Sequence, residues 1–241
     1  MRISLIGYGK MGQTIEKIAL QNGHEITFKI DRNNEEDLLK INNSNTDVAI
    51  EFTQPSSAVR NIIYCFENNV PVVCGTTGWL DKWEEVKKMC NQLNGTILYA
   101  SNFSLGVNIF FELNKYLAEL MSDFPQYSAT IEEIHHTQKL DAPSGTAITL
   151  AEGIIQNHHV YKGWQKENST ESSILPIKSL RIDPTPGTHT VLYNHEIDTI
   201  EIRHTAHSRQ GFASGAVLAA EWLNGKKGVF NMQDMLGFNN K

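Results

Sequence analysis

The chain has 241 residues, of which 40% are hydrophobic and 20% are charged. This composition is typical of a globular protein with a buried core and excludes a disordered or collagen-like chain. The 21 basic and 27 acidic residues give a formal net charge of −6, which disfavours a broad nucleic-acid-binding surface. A small anionic ligand is compatible with this charge, because one local cationic pocket is enough to bind it.

The cysteines and the hydrophobic pattern bear on the protein's location. Cys65, Cys74 and Cys90 form no C-x-x-C pair, so we expect buried thiols in a reducing compartment rather than disulfides or a cysteine zinc site. No apolar run approaches the roughly 18 residues that a membrane span needs. Strand-like residues begin at Arg2 and a glycine follows at Gly7, which leaves no hydrophobic core for a signal peptide. We therefore expect a cytoplasmic protein that binds neither membrane nor nucleic acid.

The first hundred residues alternate between strand and helix patterns. An apolar strand over 2–6 ends in a glycine, and apolar residues at helical spacing follow it as far as Gly23. The same alternation predicts further helices that begin at Pro55 or cover 79–93, and strands over 25–30, 47–52, 70–74 and 96–100. Strands that alternate with helices are typical of βαβ units. The sequence therefore predicts an α/β fold with an N-terminal doubly wound, Rossmann-type parallel sheet.

The pattern changes after Phe103, where the strands become longer and helices fewer. It predicts helices over 105–120 and 144–156, a polar surface loop over 156–173, and strands over 128–136, 173–182, 188–194 and 199–205. These features indicate a second, α+β domain built on a mixed sheet. A last helix over 213–223 is expected to return to the first domain. The predicted domains are therefore 1–103 with 213–241, and 104–212.

A glycine-rich turn joins the first strand to the first helix. Gly7, Gly9 and Gly12 form G-x-G-x-x-G, in which the glycines permit a tight turn, a close approach of pyrophosphate and close helix packing. Asp31 lies 19 residues after the last glycine, near the position of a carboxylate that binds a ribose 2′-hydroxyl. The adjacent Arg32 is able to pair with a 2′-phosphate instead. The motif predicts a nicotinamide dinucleotide site for NADH, NADPH or both.

Two later strand ends reach the same edge of the predicted sheet. Gly75-Thr76-Thr77-Gly78 follows the fourth strand, and Ala100-Ser101-Asn102-Phe103 follows the fifth. Ligands of open α/β sheets bind at the carboxyl ends of strands, where small residues allow close approach and Thr and Asn provide hydrogen bonds. Both segments are therefore candidate cofactor contacts.

The segment from Glu132 to Ala147 concentrates the groups able to do chemistry. His135 and His136 lie next to each other, so on a strand they point to opposite faces and are poorly placed to bind one metal. We therefore predict no metal site. An imidazole near Lys139 is a candidate acid and anion binder. Ser144-Gly145-Thr146 predicts a helix start whose amides and hydroxyls suit a carboxylate.

These motifs resemble the 4-hydroxy-tetrahydrodipicolinate reductase family, also called dihydrodipicolinate reductases, of bacterial lysine biosynthesis. The most specific match runs from Glu133 through His135-His136 and Lys139 to Asp141-Ala142-Pro143-Ser144-Gly145-Thr146-Ala147. The resemblance covers essentially the whole chain and extends to Phe52-Thr53 with Pro55, Asn102-Phe103-Ser104, and Arg209 with Phe212-Ala213.

The resemblance implies that NADH or NADPH reduces a cyclic, unsaturated imine dicarboxylate after loss of water, which yields tetrahydrodipicolinate. It implies His135 as the proton donor and Lys139 as a second catalytic cation. Substrate contacts are implied for His136, Gly145 and Thr146. Cofactor contacts are implied for Gly7, Gly9, Lys10, Met11, Gly12, Asp31, Gly75, Thr76, Thr77, Ala100, Ser101, Asn102 and Phe103. The second domain, 104–212, is thereby implied to bind the substrate and to form the family's usual homotetramer through its sheet.

Two departures from the family pattern concern the cofactor, and two other functions stay open. Lys10 stands where the family commonly has arginine, and the segment over 32–46 is shorter than usual.

One alternative function is that of a different Rossmann dehydrogenase, acting on an amino acid or a semialdehyde. The other is a dinucleotide sensor without catalytic activity, which leaves the pairing of His135 with Lys139 unexplained.

Overall fold

The computed structural model describes residues 1–167, 169, 171–208 and 210–238. The chain forms two compact units, one made of Met1–Leu105 and Gln210–Lys241 and the other of Gly106–Arg209. The exact domain boundaries drawn from the sequence stay a prediction. Among the described residues, no helix combines the length and the apolar character that a bilayer span requires.

The first unit is built on a six-stranded sheet with the order β11-β5-β4-β3-β1-β2, and each of its neighbouring pairs is parallel. Its strands are β1 (Arg2–Ile6), β2 (Glu25–Ile30), β3 (Val48–Glu51), β4 (Val72–Cys74), β5 (Thr96–Tyr99) and β11 (Gly228–Phe230). The chain runs from β1 outward to β2 and then returns to the other side of β1 at β3. This reversal places a topological switch point between β1 and β3, where open α/β sheets bind ligands.

Helices cover both faces of this sheet. They are α1 (Lys10–Gln21), α2 (Pro55–Glu67), α3 (Trp83–Gln92), α6 (Gln210–Leu223) and α7 (Met232–Leu236), with short 3-10 helices over Glu35–Lys40 and Leu80–Lys82. Residues of α1 and α6 pack with one set of sheet residues, and residues of α2 and α3 pack with another. Because both faces are buried, the strands are apolar along most of their length rather than alternating.

The second unit is built on a five-stranded sheet with the order β10-β9-β6-β8-β7. Its elements are α4 (Leu105–Met121), β6 (Ser128–His135), α5 (Gly145–Asn157), β7 (Gly163–Lys166), β8 (Ile174–Arg181), β9 (Gly187–Asn194) and β10 (Thr199–Ala206). The β6 strand pairs parallel with β8 and antiparallel with β9, so the sheet is mixed. The predicted fold class, a Rossmann-type parallel sheet with a second α+β domain on a mixed sheet, is confirmed.

Two edge strands depart from the sequence interpretation. The predicted surface loop over 156–173 contains β7, which pairs with β8 along the sheet edge, so that prediction is wrong for 163–166. The other unpredicted strand, β11, pairs with β5 in the first unit. Both have only three or four residues, and their pairing depends on a neighbouring strand that is distant in sequence.

The α6 helix lies close to the chain that leaves β5. Its buried residues are small, and Gly215 packs so tightly that a Cβ added there would overlap the carbonyl oxygen of Phe103. By contrast, a Cβ added at Gly211 of the same helix would lie 3.5 Å from the Ser104 Oγ, an ordinary contact. Glycine at position 215 is therefore required by a backbone contact and not by helix geometry.

We expect Gly215→Ala to destabilise the protein and Gly211→Ala to be tolerated. Alanine stabilises a helix interior by up to about 1 kcal/mol relative to glycine. At position 215 the overlap should outweigh this gain and lower the free energy of unfolding by about 1–3 kcal/mol. Urea unfolding of the two variants measures the difference, and equal stabilities would contradict the packing argument.

Candidate active site

The turn after β1 brings backbone groups from two strands into contact. Gly7 has a φ of +102°, and its N–H donates to the Ile30 carbonyl at 2.9 Å. A Cβ at Gly7 would overlap the Phe52 carbonyl, and one at Gly12 would overlap the Gly7 carbonyl. Above Gly9, in contrast, there is open space within 4 Å. This is the geometry that a pyrophosphate requires, with a closed turn beneath and free access above.

The α1 helix begins directly at this turn with donor groups available. Gly9 is its N-cap and has no side chain to accept from the first turn. The amides of Lys10, Met11 and Gly12 occupy the first three helical positions, which lack intrahelical acceptors. These amides and the helix dipole favour an anion at this end. The residues present therefore fit the diphosphate of a dinucleotide cofactor.

A cavity of about 390 Å³ adjoins the turn and is lined by Gly7, Gly9, Asp31, Arg32 and Gln54, among others. The Asp31 carboxylate accepts from the Asn33 N–H at 2.7 Å, which fixes it at the end of β2. The Arg32 guanidinium is exposed and donates to Gln54 Oε1 at 3.3 Å. A ribose in this cavity would meet both a carboxylate and a guanidinium.

The ends of β3 and β4 are held together by a buried carboxylate that the sequence analysis did not identify. Glu51 is fully buried and accepts from the Thr53 hydroxyl and from Cys74 Sγ, the latter at 3.1 Å. The Thr53 N–H donates in turn to Thr76 Oγ1 at 2.7 Å. A Cβ at Gly75 would overlap the Phe52 ring. An acidic residue at the end of an otherwise apolar strand is the sequence signal that marks Glu51.

The remaining predicted cofactor residues of the first unit lie at the same strand ends. Thr77 and Ser101 are exposed, whereas Ala100 is buried after β5. Asn102 Oδ1 accepts from the Ser104 N–H at 2.9 Å. Phe103 is buried, and its ring lies 5.7 Å from that of Phe52. Phe212 is half-buried in α6, and Arg209 lies outside the described residues.

In the second unit, the buried face of β6 changes from apolar to polar at its carboxyl end. The strand alternates, and its buried side carries Ala129, Ile131, Glu133 and His135 in turn. Glu133 lies opposite His189 of β9. His135 lies opposite Arg181 of β8. The first two residues extend the core, and the last two form a polar cluster beside it.

His135 is buried to 7% exposure, and its surroundings favour the neutral imidazole. Burial and the nearby His189 lower the pKa of His135 to about 4, against the opposing charge of Glu133. Its Nδ1 lies 3.5 Å from Glu133 Oε2. His136 follows the strand and is half-buried.

Lys139 lies in the loop that follows and forms an ion pair with its neighbour Asp141. Its Nζ is 2.7 Å from each Asp141 carboxylate oxygen. Arg181 of β8 fixes this loop, since its guanidinium donates to the Lys139 carbonyl at 3.3 Å and to the Asp141 carbonyl at 2.6 Å. Arg181 is a second residue that the sequence analysis missed.

The α5 helix starts over the polar cluster. Ser144 is its N-cap, with Oγ accepting from the Ala147 N–H at 3.2 Å. This cap leaves the amides of Gly145 and Thr146, in the first two helical positions, directed beyond the helix end. Gly145 is exposed and Thr146 half-buried. The arrangement can bind a carboxylate next to an imidazole.

Glu133, His135 and His189 each offer a potential metal ligand atom, and these atoms lie within 4.8 Å of one another. The Arg181 guanidinium is 3.5 Å from Glu133 Oε1, and its charge opposes a bound cation. Glu133 also accepts from the Ser144 N–H at 3.1 Å. The absence of a metal stays a prediction.

Comparison with known proteins identifies the family. Residues 1–103 match the model described as dihydrodipicolinate reductase, N-terminus, and residues 106–236 match that for the C-terminus. A 4-hydroxy-tetrahydrodipicolinate reductase of Christiangramia forsetii is 53% identical over 98% of both chains. One from Neisseria gonorrhoeae is 36% identical over 81% of this chain and 74% of its own. The dipicolinate-bound dihydrodipicolinate reductase of Paenisporosarcina sp. TG-14 is 25% identical, covers 96% of this chain and 97% of its own, and has a TM-score of 0.77.

The chain belongs to the dihydrodipicolinate reductase family. The predicted family is confirmed, and the chain is a reductase whose N-terminal unit has a nucleotide-binding fold. Membership in this family decides against the two alternatives that the sequence left open, a different Rossmann dehydrogenase and a dinucleotide sensor without catalytic activity. An amine dehydrogenase of Mycobacterium smegmatis shares the fold at 10% identity, with a TM-score of 0.58 and coverage of 95% and 94% of the two chains.

In this reductase, Arg32 should affect the two nicotinamide cofactors differently. Its guanidinium borders the cavity and is able to pair with a 2′-phosphate, which only NADPH carries. We expect Arg32→Ala to lower kcat/KM for NADPH by about tenfold and to leave kcat/KM for NADH nearly unchanged. Steady-state assays with both cofactors measure this. An equal loss with NADH and NADPH would assign Arg32 a role unrelated to the 2′-phosphate.

Burial of His135 should also make the reductase sensitive to acid. The ordinary histidine pKa is 6.5, and in the folded protein it falls to about 4. The resulting stability is fully present above pH 6.5 and is lost as the pH falls toward 4, because the unfolded chain then binds a proton that the folded chain does not. Between pH 7 and pH 4.5, we expect the free energy of unfolding of the wild type to fall by about 2 kcal/mol more than that of His135→Gln. Denaturant unfolding at both pH values tests this, and parallel losses would contradict it.

Proposed function

We propose that this chain reduces 4-hydroxy-tetrahydrodipicolinate to tetrahydrodipicolinate and water with NADH or NADPH, a step in the synthesis of diaminopimelate and lysine. The observation that carries the proposal is the contact between Glu133 and Ser144. It brings the imidazole of His135 and the amide end of α5 to one polar cluster. A substrate with two carboxylates and a carbon that must gain a proton requires both groups. The 53% identical relative of the same name supports this substrate.

The substrate's carboxylates find three kinds of donor in the second unit. We propose that the amides of Gly145 and Thr146 bind one carboxylate at the start of α5. His136 and the ammonium of Lys139 bind the anion from the neighbouring loop. Because Lys139 is paired with Asp141 in the free protein, the substrate carboxylate must compete with Asp141 for it. This competition favours a dianionic ligand over a singly charged one.

His135 supplies the proton to the ring carbon. In the free protein its lowered pKa keeps the imidazole neutral at pH 7. A bound dianion adds negative charge nearby and favours the imidazolium. Substrate binding therefore favours protonation of the His135 imidazole before the proton is transferred to the ring carbon. When bound, the reduced nicotinamide supplies the hydride to the neighbouring position of the conjugated imine.

We propose that the first unit holds the cofactor through the turn after β1 and the ends of β2, β4 and β5. The amides after Gly9 face the diphosphate, and Asp31 binds the ribose 2′-hydroxyl. Lys10 contributes a single charge where a guanidinium would bind phosphate in a bidentate manner. The other contacts follow the predicted residues Met11, Gly75, Thr76, Thr77, Ala100, Ser101, Asn102 and Phe103. This set accepts NADH well and tolerates NADPH through Arg32.

We also propose a cytoplasmic homotetramer assembled through the second unit. The β10 strand is at the edge of its sheet, and much of it is exposed. Ile197 in the preceding turn is 83% exposed, and Ile200 is 39% exposed. Exposed apolar residues on a sheet edge are suited to burial against another copy. Size-exclusion chromatography with light scattering gives the oligomeric state.

An absorbance assay at 340 nm with freshly generated 4-hydroxy-tetrahydrodipicolinate tests the reaction. The wild type should oxidise NADH or NADPH only when the substrate is present. His135→Gln should lower kcat by about 10²–10⁴ and leave cofactor affinity unchanged, because the cofactor residues lie in the first unit. No turnover by the folded wild type would rule out this substrate, and near-normal turnover by His135→Gln would remove its role as proton donor.

Lys139→Ala should lower kcat and raise KM together, because the ammonium acts on substrate binding and on placement of the proton. The matched control is Lys178→Ala, which removes a lysine of the same unit that pairs with Glu132 at 3.1 Å. The control should keep both constants close to the wild type. A raised KM with unchanged kcat for Lys139→Ala would restrict this residue to binding.

A further inference from the structure

The proton donor has one ring nitrogen that its own local structure leaves without a partner. Nδ1 of His135 is buried and makes no hydrogen bond within the part of the chain that the structure describes. It faces Glu133 Oε2 at 3.5 Å. The other nitrogen, Nε2, lies beside Gly187, where an added Cβ would come within 3.1 Å of it. The glycine leaves room for the ring to hold this orientation.

Glu133 connects this imidazole to the carboxylate-binding end of α5. Both of its carboxylate oxygens accept from the Ser144 N–H, each at 3.1 Å. Ser144 is the cap that fixes Gly145 and Thr146 at the helix start. Glu133 is fully buried and therefore has no solvent to hold its charge. The Glu133 carboxylate thus lies beside His135 on one side and contacts the start of α5 on the other. The amides of Gly145 and Thr146 at this helix start form the substrate-carboxylate cradle.

His189 completes the connection from the opposite strand. Its Nε2 lies 3.1 Å from Ser144 Oγ and 3.6 Å from Glu133 Oε2. Its ring contacts the His135 ring edge-on, with centroids 5.0 Å apart. The antiparallel register of β6 and β9 sets Glu133 directly opposite His189, so this contact is built into the sheet.

We propose that Glu133, supported by His189, is a positioning residue that orients the His135 proton donor and fixes the substrate-carboxylate cradle with the same charge. This rests on the proposed function. Glu133 Oε2, 3.5 Å from Nδ1, is the acceptor that the proposal assigns to the Nδ1–H when the ring turns toward it, and the neutral ring then exposes the Nε2 lone pair. When the dianion binds, Nε2 takes up a proton and Glu133 stabilises the imidazolium.

The charges around His135 define what Glu133 contributes. Lys139 from the loop and Arg181 from β8 both oppose an imidazolium, and so does a protonated His189 from β9. Glu133 on β6 is the negative group that favours it. During the reaction the Nε2 proton moves to the ring carbon, Nδ1 keeps its hydrogen, and Glu133 stays ionised throughout. The histidine then regains its Nε2 proton from solvent.

Glu133→Gln tests the proposal, because the amide keeps the shape and the hydrogen bond from Ser144 but removes the charge. We expect kcat to fall by about 10- to 100-fold. In the kcat–pH profile, the alkaline limb should move to lower pH by about one unit, because the imidazolium loses its stabilising anion. A structural defect would lower the active fraction without moving the profile.

The matched control is Glu132→Gln, on the opposite face of the same strand, where Glu132 pairs with the exposed Lys178. Its kcat and pH profile should match the wild type. Glu133→Asp should restore the alkaline limb toward the wild-type position, because it keeps the charge. A Glu133→Gln enzyme with a wild-type profile, measured beside an active wild type, would overturn the proposal. An inactive wild type would instead reject the proposed reaction.

If Glu133→Gln does not fold, an NMR measurement on the wild type tests the proposal instead. Long-range ¹H–¹⁵N correlation of the histidine rings, with His135 assigned by its loss in His135→Gln, reports the tautomer. We expect the Nδ1–H tautomer in the free protein and a doubly protonated ring when pyridine-2,6-dicarboxylate is bound. An Nε2–H tautomer in the free protein would overturn the role of Glu133 as acceptor.

Discussion

A buried carboxylate is the constraint on which the second unit depends. An ionised group without water must be compensated by hydrogen bonds and opposite charge, or it destabilises the fold by several kcal/mol. Glu133 meets this requirement with the Ser144 amide, His189 and the Arg181 guanidinium. Burial alone raises the pKa of Glu133, but the contacts with His189 and Ser144 outweigh it and hold the pKa well below its usual range. The charge is therefore retained, and the elements that supply its partners are held in register with β6.

In the first unit, close backbone contacts and a second buried carboxylate hold the strand ends in place. There the close contacts are between backbones, at Gly7, Gly12 and Gly75, where side chains would overlap carbonyl groups or a ring. The buried Glu51 adds hydrogen bonds from Thr53 and Cys74 that fix the ends of β3 and β4. Burial raises the pKa of the Cys74 thiol, and the Glu51 charge adds to this, so the thiol stays protonated and serves as a donor. The result is a strand edge held by close contacts and hydrogen bonds, with an open cavity beside it.

The sequence predicts features that depend on neighbouring residues. The glycine turn, the βαβ alternation and the Ser144 helix start are each encoded within a few residues, and all three occur in the structure. Glu133 was placed in the segment that concentrates the chemistry but was given no role, and His189 and Arg181 were missed, because the three meet through strand register across more than forty positions. One signal was available: counting back in twos from His135 along β6 places Glu133 on the same buried face. The strand β7 gives no such signal, because Gly163-Trp164-Gln165-Lys166 has no alternation of its own.

The neutral state of His135 in the free protein follows from a cluster that combines its burial with one carboxylate and two cations, Lys139 and Arg181. A histidine near its ordinary pKa would be partly charged before substrate arrives, and its proton would exchange with solvent without use. Burial removes that charge, and Glu133 alone does not restore it against His189, Lys139 and Arg181. A ligand that brings two further negative charges is able to reverse the balance. The same cations that suppress the imidazolium in the free protein also attract the anion that restores it. Under the proposed function, substrate binding and protonation of His135 are therefore one electrostatic event, and a singly charged analogue should achieve it less well than a dicarboxylate.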